Sequence, residues 1–520
     1  MQTDGTRYTI LALAPFDPDP LSSGREDPLA VRRDTLDECL AALPIHYLLP
    51  LDADLCPAGG IDLTFDSFKA LHPDQMVKQN PYLHRLYEAA AFLELARKGG
   101  QAPEQIVQGL RRWPELPRVT LPVMPDKSAA PSRPPPDTVD QILQMVAMPA
   151  STPAAAPPNP LLDLPRRILN ALFSRPDFRR TEAAWRGLHL LLAQGAVDDA
   201  VRIEFAHLDP ESPGTTLDRL SARIQADPPA LIVLDHPFDN TPLSTQRLRE
   251  LTHLADTWMV PVMAWVSSEF LEIDSWAELG RLPYLPSHLD GAAYAKFRTL
   301  RQSPQSPWLS LACNRFLVRY PYGPQNPLRK ASLTESTPPW IAPVWGIAAL
   351  IAQSVCRTGW PTRFTERGTF QLQDLALTSG DRTPPLVVEF CPDAERRRQL
   401  LKIGLTPLST ETGRDRAFCS SAVTLAGGSL NHQLLVSQVA QFLGWCREHL
   451  PVDGTAADLE FQLRLAFQVF SERSRPPGLA EVHVAVRAPN EEGRLPVRIA
   501  VTPAAHVLQG EAPIEMEIHW

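Results

Sequence analysis

The sequence of 520 residues lacks the short motifs by which nucleotide-binding proteins and many hydrolases are recognised. It contains no G-x-x-x-x-G-K-[ST], no G-x-G-x-x-G, no H-E-x-x-H and no G-x-S-x-G. Each of these motifs places a phosphate, a zinc ion or an activated serine on a defined turn or helix. The sequence therefore names no catalytic residue, no cofactor and no metal ligand in this way.

Cysteine is scarce, and clusters of positive charge are missing. The seven cysteines include no C-x-x-C pair and their number is odd, which indicates reduced, buried thiols rather than disulfides or a zinc site. The net charge is −9 at pH 7, and no segment is strongly basic. We therefore expect no nucleic acid as the main partner.

Long apolar runs are also absent. The longest are LIVL at 231–234 and VWGIAALIAQSV at 344–355, and both are shorter than the roughly 20 residues that a membrane-spanning helix needs. The N-terminal apolar run is short, and acidic or Pro-rich sequence follows it, so it does not match a secretory signal. We expect a soluble, cytoplasmic chain without membrane insertion.

Proline, in contrast, is abundant, with 54 residues. Pro, Ala and Ser dominate positions 122–160, which predicts an extended linker. Inside it, the island DTVDQILQMVAM (137–148) has apolar residues at the spacing of one helical face: Val139, Ile142, Leu143 and Val146. A lone short amphipathic helix cannot bury its own face, so it is either marginal or docks on a partner.

The hydrophobic pattern predicts an α/β fold. Strands at 200–206, 231–234 and 260–267 alternate with helices at 215–226 and 243–255, which favours a parallel core. Further buried strands are expected at 7–16 and 386–390. The last part of the chain changes to alternating strands with one apolar face, at 481–487, 495–501 and 513–520. We predict four regions: a domain at 1–121, the linker at 122–160, an α/β core at 161–480 and a β-strand region at 481–520.

The helix TEAAWRGLHLLL (181–192) is predicted to be a packing element. Trp185 and Leu188 lie on one face, and Thr181 is a candidate N-cap. Gly187 in the interior of a helix costs about 0.5–1 kcal/mol relative to Ala, so another backbone is expected to approach closely there.

Two alternatives involve chemistry. Asp235 and Asp239 follow a buried strand, where two carboxylates could hold Mg²⁺ for an enzyme; otherwise Asp235 begins a turn and Asp239 caps the next loop. The arginines and lysines between 297 and 330 form either a solvated or subunit-contacting face or a phosphate site.

Several stretches together resemble the large sheath subunit of type VI secretion systems, which are contractile, phage-tail-like injection machines. The resemblance covers about 135–520 and rests on the following stretches: FSRPDFRRTEAAWRGL (173–188), LIVLDHPF (231–238), NRFLVRYPYG (314–323), VWGIAALIAQSVCRTGWPTR (344–363), EFCPDAERRRQLLKIGLTPL (389–408) and FCSSAVT (418–424). More loosely, residues 1–120 resemble the small sheath subunit, through FDSFKALHPDQ at 65–75. The chain is thus similar to both subunits fused.

The resemblance implies a two-part α/β (α+β) fold, with a central mixed sheet flanked by helices and C-terminal β-strands available for pairing between subunits. It implies a structural role without a catalytic residue or cofactor, with copies of this chain, an inner-tube protein and baseplate proteins as partners. An accessory or capping protein of the same fold remains the alternative, because the early strand ends in APFDP and the usual diglycine is missing near 365–375.

Three interaction sites follow from the resemblance and the patterns. The first is the packing helix, with Trp185, Arg186, Gly187 and Leu188. The second is the island at 137–148, with Val139, Ile142, Leu143 and Val146, as a docking helix for an AAA+ recycling ATPase. The third is strand pairing through the C-terminal strands, with Ile514, Met516, Ile518 and Trp520, and through the strand near 7–14.

Overall fold

The computed structural model describes most of the chain. The described ranges are 7–18, 27–117, 160–195, 199–331, 333–378, 384–450, 455–474, 476–489, 494–510 and 512–520. The island at 137–148, with Val139, Ile142, Leu143 and Val146, lies outside them. None of the helices in these ranges is long and apolar enough to cross a membrane.

A seven-stranded sheet forms the centre of the fold. Its spatial order is β11-β8-β7-β6-β1-β5-β2, and its strands are β1 (Tyr8–Ala14), β2 (Leu29–Val31), β5 (Val201–His207), β6 (Leu231–Phe238), β7 (Val262–Val266), β8 (Leu309–Cys313) and β11 (Leu405–Pro407). All neighbours are parallel except β2, which runs antiparallel to β5 at one edge. The predicted central mixed sheet is confirmed.

Four smaller β-structures surround this sheet. They are the hairpin β3 (Ile45–Pro50) with β4 (Gly60–Phe65), the short pairs β9 (Phe316–Leu317) with β10 (Trp340–Ile341) and β12 (Ser409–Thr410) with β13 (Ala417–Phe418), and an antiparallel sheet of β14 (Leu479–Val486), β15 (Pro496–Pro503) and β16 (Ile514–His519). The strand expected at 386–390 is not formed; there, Val388 makes one isolated bridge to Phe316.

The helices of the described chain flank the sheets. They are α1 (Leu36–Ala42), α2 (Pro73–Gln79), α3 (Pro81–Lys98), α4 (Pro103–Leu110), α5 (Pro160–Phe173), α6 (Pro176–Gln194), α7 (Pro213–Ala226), α8 (Pro242–Trp258), α9 (Leu285–His288), α10 (Ala295–Arg301), α11 (Pro343–Thr358), α12 (Ala394–Lys402), α13 (Leu430–His449) and α14 (Ala456–Ser471). The helices α7 and α8 connect β5, β6 and β7, as the strand–helix alternation predicts.

The N-terminal strand β1 lies in the middle of the main sheet. It pairs with β5 on one side and with β6 on the other, so Ile10 lies beside both Ile203 and Leu231. The expectation that this strand pairs between subunits is therefore wrong, because both of its edges are already occupied within the chain. The domain boundaries stay predictions, but β1 shows that residues before 121 complete the sheet of the region 161–480.

Alternate residues of the main sheet face two different cores. Ile10 and Ala12 point into one apolar cluster, whereas Leu11 and Leu13 point into the other on the opposite face. A third cluster joins α13 and α14 to the C-terminal sheet. The helices α13 and α14 and the strands β14, β15 and β16 share this core, and we call them the C-terminal unit.

Candidate functional site

The predicted packing helix is α6, and it is buried along most of its length. It begins at Pro176, five residues before the candidate cap Thr181, which is buried in the interior of the helix. Proline suits the first helical position because its fixed φ fits the helix and its missing N–H has no partner there anyway. Thr181 is therefore not the N-cap.

Trp185 fastens α6 to the main sheet. Its indole Nε1 donates a hydrogen bond to the carbonyl oxygen of Phe16, just after β1, at 2.8 Å. Its ring also makes edge contacts with Phe16 and with Phe205 of β5, with centroid distances of 5.0 and 5.5 Å. Leu188, one turn further on, is completely buried in the same core. Both residues are interior contacts of the folded chain.

Gly187 faces the indole of Trp345 on α11. A Cβ at position 187 would overlap the ring atoms of Trp345. The close approach expected at this glycine exists, but the approaching group is a side chain and not another backbone.

The same indole reaches Asp235 of β6. Trp345 Nε1 donates to Asp235 Oδ2 at 2.7 Å, and Trp265 Nε1 donates to Oδ1 at 3.0 Å. Burial of Asp235 raises its pKa to about 6, and the two indole donors oppose that rise. The carboxyl group is thus enclosed by two tryptophans in the core.

Asp235 and Asp239 do not form a shared metal site. Asp239 accepts hydrogen bonds from the backbone N–H and the hydroxyl of Thr241, at 2.9 and 2.6 Å. This matches the loop-capping role considered from the sequence, whereas Asp235 lies within β6 and does not begin a turn. In the part of the chain that the structure describes, no group of three or more His, Cys, Asp or Glu side chains is placed to hold a metal ion.

Arg186 belongs to a buried ionic network centred on Glu182. Glu182 Oε1 accepts from Arg186 Nε at 2.7 Å, and both of its oxygens accept from Arg319 at 3.1 Å. Arg319 also donates to Glu335, at 2.6 and 2.8 Å, and its guanidinium lies 4.2 Å from the ring centroid of Tyr322. Burial opposes ionisation of Glu182, but Arg319 and Arg186 outweigh it and lower the pKa of Glu182 to about 2.

The basic segment 297–330 is not wholly solvated, because several of its arginines bind other segments of the chain. Besides Arg319, Arg315 pairs with Glu389 at 2.6 Å. Arg301 donates to two carbonyl oxygens, those of Leu425 and Lys402. These side chains connect distant segments of the chain, a role that spacing alone does not indicate because each partner is far away in sequence.

A carboxylate also ties the FDSFKALHPDQ stretch to the main body. Asp74 of α2 accepts hydrogen bonds from the backbone N–H groups of residues 329, 330 and 331, at 3.0, 2.9 and 3.0 Å. Partial burial opposes ionisation, yet these donors hold the pKa of Asp74 below its usual value.

The C-terminal strands share one apolar face, as predicted. In the register between β15 and β16, Val501 lies opposite Ile514, Ile499 opposite Met516, and Val497 opposite Ile518. Trp520 extends this pairing through two backbone hydrogen bonds with Leu495, at 2.9 and 3.2 Å. Ile514 is buried, and Met516, Ile518 and Trp520 are half-buried against the third core.

The outer edge of β16 is not paired with any strand of the described chain. Because Trp520 exchanges both bonds with Leu495, the alternation of an antiparallel ladder turns the N–H groups of Glu515, Glu517 and His519 away from β15. Those groups are the donors that an additional strand would meet.

Trp360, from the stretch at 344–363, packs against the C-terminal unit. Its ring packs against Phe470, with a centroid distance of 5.5 Å, and the guanidinium of Arg473 lies 3.6 Å from the ring centroid. Its Nε1 donates to Ser474 at 2.7 Å. A Cβ at Gly478 would overlap the same indole.

Residues 222–426 match the family model described as VipB: EvpB/VC_A0108, tail sheath N-terminal domain. The likeness to the sheath family is confirmed. The matched region includes the stretches at 231–238, 314–323 and 344–363, whereas the packing helix at 181–192 and residues 1–120 lie outside it. Similarity of the N-terminal part to a small sheath subunit stays a prediction.

The type VI secretion system sheath protein TssC1 of Pseudomonas aeruginosa is 26% identical to this chain over 290 residues. That match covers 49% of this chain and 58% of the relative, so the chain spans less than two thirds of the length of that relative. Two solved structures are also similar: the baseplate of the anti-feeding prophage, and the PVC sheath complex of an extracellular contractile injection system in its contracted state. Both are 11% identical, with TM-scores of 0.38 and 0.37, and in each case 62% of this chain and 77% of the other chain are covered.

The close contact at Gly187 can be tested by substitution. We expect Gly187→Ala to destabilise the protein by about 1–3 kcal/mol, because the added methyl group would displace the indole of Trp345. Gly444→Ala, also inside a helix, is the control: nothing lies within 4 Å of its added Cβ, so about 0.5–1 kcal/mol of stabilisation is expected. Urea unfolding measures both. Equal shifts of the two midpoints would show that the contact imposes no constraint.

The ionic network predicts a pH-dependent stability. Glu182→Gln is expected to lower the free energy of unfolding by about 3–5 kcal/mol near pH 7, because Arg186 loses its carboxylate and Arg319 keeps only that of Glu335. The pKa of Glu182 is lowered from 4.5 to about 2 in the folded state. Its ionic contribution is therefore complete above about pH 5 and is lost as the pH falls towards 2.

Urea titrations of Glu182→Gln and of the parent between pH 3 and pH 7 check this. The control is Glu515→Gln, which breaks the exposed pair of Glu515 with Arg498 and is expected to change stability by less than about 1 kcal/mol. A destabilisation by Glu182→Gln that does not shrink below pH 4 would contradict the assignment.

Proposed function

We propose that this chain is a structural subunit of a type VI secretion-like contractile sheath, which assembles with copies of itself around an inner tube. The single observation that carries the proposal is the tail sheath domain match over residues 222–426. The interior supports it, because two buried carboxylates beside the main sheet, those of Asp235 and Glu182, are bound by tryptophan and arginine side chains of the chain itself. In this role the protein needs no catalytic residue and no cofactor.

The contacts between subunits would be heterologous, since a helical array repeats one unlike pair of surfaces. The outer edge of β16 is the surface that we assign to strand pairing. Each backbone hydrogen bond contributes only about 0.5–1.5 kcal/mol net. Several such bonds would join two copies of the chain firmly but flexibly, so the folded bodies of the two copies could rotate while their strands stay paired.

The proposed partners are further copies of this chain, an inner-tube protein and baseplate proteins, in the cytoplasm, without nucleic acid and without insertion in a membrane. The alternative is a sheath-like accessory or capping protein that does not form long tubes. Because the match covers less than two thirds of TssC1, the experiment below also tests this alternative.

A substitution in β16 tests strand pairing without removing the strand from its own core. Glu517→Pro deletes an N–H that points away from β15, so the pairing inside the chain keeps its hydrogen bonds. We expect the parent protein and the control Glu517→Ala to form tubules in negative-stain electron microscopy, and Glu517→Pro to form only discrete particles with an unchanged urea midpoint. Tubules of Glu517→Pro like those of the parent would contradict pairing through this edge. Discrete particles of the parent would overturn the main-sheath role and support the accessory one.

The island at 137–148 is proposed as the docking element for an AAA+ recycling ATPase, on the basis of its sequence pattern and the sheath likeness. A peptide of residues 135–150 is expected to bind the ATPase in fluorescence polarisation, and the same peptide with Ile142→Asp is expected to lose binding, because Ile142 lies in the apolar stripe. No affinity of the unaltered peptide would remove this partner.

A further inference from the structure

The helix α14 carries apolar side chains on two opposite sides. Leu459, Leu463 and Phe467 belong to the third core. Phe461, Leu465 and Val469 face solvent instead, with 69%, 53% and 64% of their surface exposed. At about 100° per residue, the exposed three lie roughly opposite the buried three. We call the exposed set the α14 stripe.

The α14 stripe has the form of a helix-docking surface. Its members follow one another at i, i+4 and i+8, which gives a continuous apolar row about 12 Å long. Single exposed apolar residues are ordinary on a protein surface, but an aligned row of three large ones marks an interaction site.

A second copy of α14 is a poor occupant. If two α14 helices met in antiparallel orientation with Leu465 at the centre, Asp458 of one copy would lie near Glu472 of the other. The same repulsion would occur at both ends of the contact, and opposed like charges disfavour pairing. A segment with acidic residues at only one of its ends meets this repulsion at no more than one end of the stripe and is the better occupant.

The linker contains a segment of matching length and character. Residues 118–159 lie outside the described ranges, and the stretch that they hold with helical apolar spacing is 137–148. As a helix, Val139 to Val146 would present an apolar row about 10.5 Å long, close to the length of the α14 stripe.

The chain on either side of this segment gives it a wide reach. Residues 118–136 can span up to about 60 Å and residues 149–159 up to about 35 Å when extended. A tethered segment also meets its site at a high effective concentration, so a small interface is sufficient.

We propose that the α14 stripe is the docking site for residues 137–148 of this chain. Phe461, Leu465 and Val469 receive the apolar row formed by Val139, Ile142, Leu143 and Val146. The segment thereby buries the face that it cannot cover by itself, and α14 loses its exposed row. This inference does not depend on the proposed sheath function.

Site-specific photo-crosslinking of the full chain tests the contact directly. A benzophenone side chain at position 465 is expected to crosslink to peptides from 137–148, identified by mass spectrometry. The control position is Leu243 on α8, which is similarly exposed at 56% and is expected to give no such crosslink. Crosslinks from position 465 only to α14 of another copy, or only to other segments, would overturn the proposal, and so would equal capture of 137–148 from position 243.

Hydrogen exchange gives an independent readout. Leu465→Asp is expected to speed amide exchange in 137–148 by about tenfold, because a charge replaces an apolar contact of the docked helix. Leu243→Asp is the matched control and should leave that segment unchanged. Ile142→Asp should in turn increase exposure of α14, measured by footprinting of Phe461. Exchange in 137–148 that is the same in Leu465→Asp, Leu243→Asp and the parent would contradict docking on this stripe.

Discussion

The indole of Trp345 can reach Asp235 only because residue 187 has no side chain. Gly187 lets α11 and α6 approach each other above the main sheet, and the indole fills the space that a Cβ would occupy. The hydrogen bond from Trp345 to Asp235 then fixes α11 to β6, while Trp185 fixes α6 to the end of β1. One missing methyl group therefore sets the distance between two helices and the sheet that both of them cover.

The stretches that carry the sheath resemblance meet inside the subunit. Glu182 and Arg186 come from the packing helix, and Arg319 comes from NRFLVRYPYG. Both arginines donate hydrogen bonds to the buried carboxylate of Glu182. A buried charge is tolerated only while its partners remain, so these residue types constrain each other across the chain. A likeness built on such residues therefore reports the interior of the folded chain.

The periodicity of apolar residues predicted the helices and strands well, but it could not predict which distant segments pair with one another. The helices expected at 215–226 and 243–255 match α7 and α8, and the apolar alternation of the last strands matches their register in the C-terminal sheet. The same pattern could not place β1 between β5 and β6. Parallel strands can pair when they are far apart in the sequence, and a buried strand is apolar whichever strands lie beside it. The partner of Gly187 was missed for a similar reason: a glycine shows that something is close, but not what it is.

The helix α14 shows how a strong element can escape pattern analysis. Leu459, Leu463 and Phe467 alone would give a clear stripe, but Phe461, Leu465 and Val469 add apolar residues on the opposite side. The contrast between faces that periodicity measures is then lost. One apolar side of α14 packs in the third core, and the other faces solvent. The second apolar side weakens the periodic signal in the sequence, and it is also the side that we propose as a docking surface. The edge of β16 differs in this respect: the acidic residues Glu515 and Glu517 lie along it, and any strand that pairs there must accommodate their charge. The α14 stripe itself consists of apolar side chains, with acidic residues only beyond its ends.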